Sequence, residues 1–377
     1  MKILMISTDK TLLGLVGVGD APARHKEYAK CVERLDILVL TKKTSSEKAL
    51  APNCVARPLV LNFDFFGQCR RQFKSSGYDL IVCQDPFLTA IAGWDLKRKF
   101  GAKLLIHFHG DFWKNKNWLY ERWYNIFFLW VSKFTVRKAD GLRVMSEGQK
   151  RKLLSCGWPS SKVTVVSTPV DIVRFIRYKE ERIENQKLIE KFLSQKPGQE
   201  KKIVLMVARK DLVKDFDTMF RAMNLVFENN PETVLWLVGN FSAMEAYDLG
   251  LDQKVPVMEI GQAAMPTEDL PACYYASDVV ALPSLSESFG KVLVEANACG
   301  KPVVATATTG AKQIVEEGRN GFLVPIKDYR ALAGRIIYLL ERPEEARRMG
   351  EEGRKMALDR YSGNTEKIIR LWEQIAK

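Results

Sequence analysis

SLSESFGKVLVEANACGKPVVATATTG, residues 284–310, reads as a loop, a short helix, a turn and a buried strand in quick succession. Glu287 stands in the loop and Glu295 on the helix, eight residues apart. Ser288, Phe289, Gly290 and Lys291 lie between them and are expected to open the helix. A helix N-terminus carries unpaired N–H donors and a partial positive charge, which makes it a seat for a phosphate. A carboxylate about one turn further in can take sugar hydroxyls. Two acids flanking a phosphate seat point to a sugar nucleotide.

Working outward, strands and helices alternate. Upstream, strands are read at 202–208, 233–239, 257–260 and 278–283, with helices at 215–228 and 267–276. Downstream come strands at 302–306 and 321–324 and helices at 314–318, 329–340, 344–358 and 365–376. An earlier run has strands at 2–7, 36–41, 78–83, 103–108, 140–145 and 163–166. Helices are expected between them, including one long aromatic helix over 118–138. The fold class is therefore α/β: two doubly wound, mostly parallel Rossmann-like domains facing a cleft, with ligands at the carboxyl ends of the strands. Between 178 and 202 the chain turns charged, with Pro197-Gly198 near the end. The linker is placed at 176–200, between domains at 1–175 and 201–358.

The chain has 377 residues, 46% of them hydrophobic, enough for two cores. Its formal net charge of +13 favours anionic partners without choosing among phosphates, lipid surfaces and nucleic acid. Seven cysteines are scattered and never spaced CxxC, which argues against a disulfide framework or zinc ribbon and fits a reducing cytoplasm. The start, MKILMIST, is too short and too soon polar for a signal peptide. No uncharged apolar run reaches the roughly 18–20 residues of a membrane span.

Each further motif has competing readings. Gly14, Gly17 and Gly19 lie in the first long loop. They do not complete GxGxxG, and the second strand ends in Thr41-Lys42-Lys43 where a ribose-binding acid would be wanted, so a dinucleotide site is rejected. A flexible loop over the cleft, or a plain surface loop, remains. Arg209 and Lys214 follow the first strand of the second domain, where a planar fork and a mobile point charge suit a diphosphate. As loop cations alone they are unremarkable; beside Glu287 and Glu295 they become donor-site candidates. Asp215-Phe216-Asp217 matches a DxD metal pattern but reads better as a helix start, and no metal is expected. His109 ends a strand at the cleft edge, next to Gly110 and Asp111, and is a catalytic candidate; His107 reads as a satisfied core histidine. The stretch 112–138 interleaves Trp113, Trp118, Trp123 and Trp130 with basic residues. It can lie on anionic lipid or cover the sheet, and one face has to pack. No nucleic-acid module accompanies the charge.

These residues resemble a known family, the GT-B fold retaining glycosyltransferases of family 4. The match rests on ESFGKVLVE, with ACGKPVVAT, EEGRNGFLVP, VARKDLVKDF, TPVDIVRF, IHFHG and YSGNTEKIIRLWEQ in order, and covers nearly the whole chain. The resemblance implies that Arg209 and Lys214 bind the donor diphosphate. It implies that Glu287 contacts the donor sugar, that Ser288, Phe289, Gly290 and Lys291 meet donor and phosphate largely through backbone, and that Glu295 takes the ribose hydroxyls. Gly261, Gln262 and Ala263 would hold the base, His109 would face the reacting sugar, and the loop with Gly17 and Gly19 would meet the acceptor. Residues 359–377 would return to the first domain. Thr168-Pro169, the spread GLVGVG and Gly363 depart from the family pattern. The expected function is a metal-independent, retaining hexosyl transfer from a nucleotide-diphosphate sugar to a glycan or lipid-linked acceptor. No cofactor is implied beyond the donor, and the protein would be cytoplasmic, with an anionic membrane surface as a further partner. A non-catalytic nucleotide-sugar binder or scaffold, and an epimerase of the same fold, are the alternatives.

Overall fold

The computed structural model describes residues 1–16, 19–181, 183–194, 202–239, 241–261 and 269–377. Its contacts divide the chain into two units: Met1–Pro169 together with Gly363–Lys377, and Val170–Ser362.

The first unit holds eight strands: β1 (Lys2–Ser7), β2 (Arg34–Thr41), β3 (Lys48–Ala51), β4 (Cys54–Val60), β5 (Leu80–Cys83), β6 (Lys103–Phe108), β7 (Gly141–Val144) and β8 (Val163–Val165). Their order is β3-β4-β2-β1-β5-β6-β7-β8, parallel except for the antiparallel β3–β4 pair. A central parallel strand is covered on both faces, so it reads as a continuous apolar run rather than an alternation. KILMIS of β1 is such a strand: Leu4 and Ile6 enter one core with Ile81, Leu104 and Ile106, while Ile3 and Met5 enter the other with Ile37, Leu80 and Leu105.

Residues 48–60, given no element in the sequence reading, form the β3–β4 hairpin. Asn53 in its turn donates to the carbonyls of Ala29 (2.8 Å) and Val32 (2.9 Å), tying the hairpin to the end of the first helix. Pro58 is tolerated in β4 because β3 pairs only as far as Ala56, leaving Pro58 on a free edge. The expected single helix over 118–138 is in fact two, Lys116–Glu121 and Asn125–Lys138. Arg122 between them is extended, and buried Asn125 donates to the carbonyl of Trp118 at 2.6 Å. An Asn side chain that captures a backbone carbonyl in this way competes with helix continuation.

The C-terminal helix, Asn364–Ala376, packs on the first sheet. Ile368 and Trp372 are fully buried against the core that contains Ile3 and Met5, and Trp372 meets Tyr28 edge-to-face at 5.3 Å. Gly141 at the start of β7 makes room for it, since a Cβ there would stand 2.6 Å from Ile375 Cδ1.

The stretch expected to be linker, 176–200, is instead folded over most of its length. Helices Ile172–Glu181 and Ile183–Ser194 belong to the second unit. Phe175, Tyr178 and Ile189 are buried, and Tyr275 Oη donates to the carbonyls of Phe175 and Ile176. Charge on the solvent side concealed this apolar face. The rest of that stretch lies outside the described residues.

The second unit has six parallel strands: β9 (Lys202–Val207), β10 (Thr233–Gly239), β11 (Val257–Gly261), β12 (Val279–Leu282), β13 (Val303–Thr306) and β14 (Gly321–Val324). Their order, β11-β10-β9-β12-β13-β14, reverses direction between β9 and β12. Loops leaving the carboxyl ends of two such strands diverge to opposite faces, which opens a crevice for ligand.

Candidate active site

In the second unit, β9 and β12 deliver the two loops that carry most of the candidate residues. The β9 loop runs through exposed Arg209 into a 3-10 turn, Leu212–Lys214, capped by Asp211. Asp215 then takes φ +51° and caps helix Phe216–Asn229 by accepting from Thr218 N–H, as expected for a helix start. Asp217 pairs with Arg221 at 3.0 Å. Both acids of the DxD pattern are thus engaged locally.

The β12 loop closes on the first. Leu285 N–H donates to the Val213 carbonyl at 2.8 Å. Lys214 Nζ meets Glu287 Oε1 at 2.5 Å, and Ser284 Oγ donates to the same oxygen at 2.9 Å. Thr306 at the end of β13 donates to the Ser284 carbonyl at 2.5 Å, and Gly310 N–H donates to the Glu287 carbonyl at 2.8 Å. A side chain at 310 cannot be accommodated, because its Cβ would lie 2.5 Å from the Phe289 carbonyl oxygen. Glu287 is therefore held from three strand ends at once.

The helix begins later than expected. Residues 288–290 form a turn, and the helix proper is Lys291–Ala298. Gly290 at its N-cap takes φ +92°, outside helical space, and has no side chain with which to cap the first turn. Phe289 is buried against Tyr361, ring centroids 5.4 Å apart. Glu295, only 3% exposed, receives Lys291 Nζ at 3.1 Å and Tyr274 Oη at 2.7 Å. Burial first, then the neighbouring Glu295 charge, pushes the Tyr274 hydroxyl well above its ordinary range, so it remains a donor at any physiological pH. Tyr274 and Ser284 were not singled out from the sequence; both act on acids through folding contacts, and no spacing rule reports them. Gly261 ends β11, and Gln262 and Ala263 lie outside the described residues.

In the first unit, the carboxyl ends of β5 and β6 bring Gln84 and His109 together, His109 Nε2 donating to Gln84 Oε1 at 2.5 Å. Gln84 Nε2 donates in turn to Met5 Sδ. His107 is buried, as expected for a core histidine, but only half satisfied. Its Nδ1 accepts from Arg143 at 3.2 Å, and its Nε2 finds no partner among the described residues. Arg143 is fully buried and donates otherwise to the carbonyls of Val166 (2.8 Å) and Ser167 (3.0 Å). Burial draws its guanidinium down to about 10, still charged at neutral pH. Burial, then Arg143, lowers both His107 and His109 well below the ordinary imidazole range. Asp111 is occupied by Lys152 at 2.6 Å. Gly19 is exposed, with Thr11 as the neighbour a Cβ would meet, and Gly17 lies outside the described residues.

Two parallel α/β sheets, the second with paired acids and a glycine-capped helix at its switch point, define a GT-B glycosyltransferase architecture. Solved structures agree in fold. A sucrose-phosphate synthase from Thermosynechococcus elongatus superposes with a TM-score of 0.81 over 99% of this chain and 98% of that one, at 23% identity. Anabaena HepE in complex with UDP gives 0.77 over 99% and 100%, at 20% identity. Residues 189–356 match the model of glycosyl transferases group 1, and residues 31–174 match that of glycosyltransferase family 4. The chain belongs to this family. EpsD of Bacillus subtilis is 27% identical over 79% of this chain and 76% of its own length. The GDP-mannose-dependent alpha-(1-6)-phosphatidylinositol monomannoside mannosyltransferase of Mycolicibacterium smegmatis is 30% identical over 60% of each chain.

Proposed function

We propose that the protein transfers a hexosyl group, with retention at the anomeric carbon, from a nucleotide-diphosphate sugar to a glycan or lipid-linked acceptor. The observation that carries this reading is the Lys214–Glu287 ion pair beside the Gly290-capped helix, at the carboxyl ends of β9 and β12. Without donor, lysine and carboxylate neutralise each other. A bound diphosphate would draw Lys214 away, leaving Glu287 to accept hydroxyls of the donor sugar. Arg209 makes no ion pair among the described residues and is available to the same phosphates. Glu295, already oriented by Tyr274 and Lys291, would take the ribose hydroxyls.

The chemical difficulty is negative charge growing on the leaving diphosphate. Lys214, Arg209 and the start of helix Lys291–Ala298 would stabilise it, a role for fixed donors aimed where charge develops. The engagement of Asp215 and Asp217 elsewhere favours this all-protein supply of charge over a metal bridge. In the retaining reaction the C1–O bond to the diphosphate breaks and the acceptor hydroxyl bonds to C1 on the same face, its proton passing to a leaving phosphate oxygen. His109, held neutral, would receive a hydroxyl of the reacting sugar. Relatives bear on the donor: HepE is solved with UDP, and the mycobacterial relative is GDP-mannose-dependent.

A thermal-shift panel of UDP-, GDP- and ADP-sugars tests the reading. Donor at a hundred times its dissociation constant should stabilise by about 2.7 kcal/mol. Lys214→Ala should lower turnover roughly 10²–10³-fold, as does loss of one oxyanion donor elsewhere. Near-normal turnover by that variant would overturn the phosphate assignment.

A further inference from the structure

The helix Asn125–Lys138 turns Leu129 and Val136 to the core but leaves most of its large aromatic side chains outward. Its buried face carries Asn125, Ser132, Thr135 and Val136. Its outer face, with the end of the preceding helix, carries Tyr120, Trp123, Ile126, Phe127, Trp130 and Phe134, exposed by between 40% and 87%. A helix on a water-facing surface has the opposite arrangement. The inner polar groups are satisfied: Thr135 Oγ1 donates to the Pro86 carbonyl at 2.6 Å, Ser132 Oγ to the Leu129 carbonyl at 2.7 Å, and Asn125 to Trp118. This orientation is thus the packed one, and the aromatic face is left outward by design of the sequence.

The charges select the partner. Lys133, Arg137 and Lys138 are exposed around the aromatics, as is Arg122, which pairs at 3.7 Å with Glu121, the one acid between Tyr120 and Lys138. Trp123, Ile126, Phe127 and Trp130 occupy the first turns, and Lys133, Arg137 and Lys138 the last. Tryptophans at the boundary of an apolar strip, ringed by bases that outnumber a single acid, match an anionic bilayer surface. A protein interface would more commonly carry both signs of charge.

The patch is also tied to the strand ends of the same unit that carry Gln84 and His109. Phe87, four residues past the end of β5, meets Phe112 (4.8 Å), Trp118 (5.9 Å) and Phe128 (5.1 Å), and Phe112 meets Trp118 (5.2 Å). Phe87 stands three residues from Gln84, and Phe112 three from His109. An aromatic cluster of mostly edge-on and tilted contacts thus connects the outward face to the strand ends that carry Gln84 and His109. We propose that the Tyr120 to Lys138 face docks on anionic lipid and that the acceptor is lipid-linked, drawn from that surface. The second half rests on the transferase reading above.

Sedimentation with phosphatidylcholine vesicles, with and without a third of phosphatidylglycerol, tests the surface at low and high salt. The protein is expected to sediment with the anionic vesicles and remain free with the neutral ones. Each basic residue near an anionic surface is worth about fivefold in binding, so Lys133→Glu/Arg137→Glu should weaken association at least tenfold. Trp123→Ser/Trp130→Ser should abolish the vesicle-induced blue shift of tryptophan emission. Both variants change exposed residues, and an unchanged melting temperature and circular dichroism spectrum confirm their fold. No association of the wild type with anionic vesicles, or a light-scattering dimer that the tryptophan variant dissolves, overturns the proposal. For the acceptor, labelled nucleotide sugar is incubated with protein and vesicles of total lipid from the source cells. Label entering the organic phase supports a lipid-linked acceptor. Label transferred only to water-soluble glycan overturns that half while leaving the transferase reading intact. Absence of label transfer to either phase would strike the transferase reading and leave vesicle binding untouched.

Discussion

His109 is held in one tautomer by a residue 25 positions away. Gln84 can present its oxygen to His109 only while its nitrogen faces Met5 Sδ, so the imidazole proton sits on Nε2 and Nδ1 keeps a lone pair. With only three histidines in the chain, nitrogen-detected NMR resolves the point, His109 being assigned through His109→Gln. The expected spectrum shows a neutral Nε2–H imidazole for His109 between about pH 6 and 8, a range in which a solvent-exposed histidine would titrate. Gln84→Glu places a carboxylate at the same contact and should bring His109 into the titrating range, with transfer becoming pH-sensitive on the acid side. An unaltered His109 in that variant would refute the role of Gln84. At this scale the sequence was informative in proportion to locality. Glu287 and Glu295 are eight residues apart on one loop and helix, and their spacing gave them away. Gln84, Tyr274 and Arg143 reach their partners across 25, 21 and 36 residues, and only the folded sheet brings them together.

At the scale of elements, the helix Lys291–Ala298 depends on supports outside itself. Glu295 is buried, and a buried carboxylate is tolerated only when its oxygens are paired. Tyr274→Phe removes the donor to Oε2 while leaving the ring's packing in place. The expected cost is about 1.5–3 kcal/mol, typical of a hydrogen bond to a charged group, read from urea unfolding, together with a raised donor KM. A change in stability without any change in KM would mean that Tyr274 supports the fold alone. Long periodic segments of this unit, such as Phe216–Asn229 and Tyr329–Glu341, were legible because an apolar stripe at helical spacing outweighs local detail. The hairpin at 48–60 and the break at Arg122 were not. Short strands carry little period, and the break depends on where Asn125 finds a carbonyl.

Across the first unit as a whole, three histidines are kept uncharged. Burial lowers His25 from 6.5 to about 4, with Arg24 adding to the effect, and His107 and His109 are lowered in the same sense. A depressed histidine contributes stability that is present above the unfolded pKa. As pH falls below about 6.5 the unfolded chain binds protons that the folded one refuses, and stability is lost down to the folded value. For His25 alone the span from 6.5 to about 4 corresponds to about 3 kcal/mol. The melting temperature is accordingly expected to fall steeply between about pH 6.5 and 4, and less steeply in His25→Phe. Identical pH profiles for the two proteins would refute the assignment of His25. Whole-molecule architecture was readable from the alternation of strands and helices, and the boundary was not. The charged run after Tyr178 hides an apolar face that only packing against Tyr275 exposes.

The first unit closes its core with Trp372, a residue that follows the entire second unit in the chain. A ribosome therefore finishes the second domain before it can supply the last piece of the first. Until then, the apolar side chains of Ile3, Met5 and Tyr28 lack the tryptophan that covers them in the finished fold. Order of synthesis and order of completion run in opposite directions.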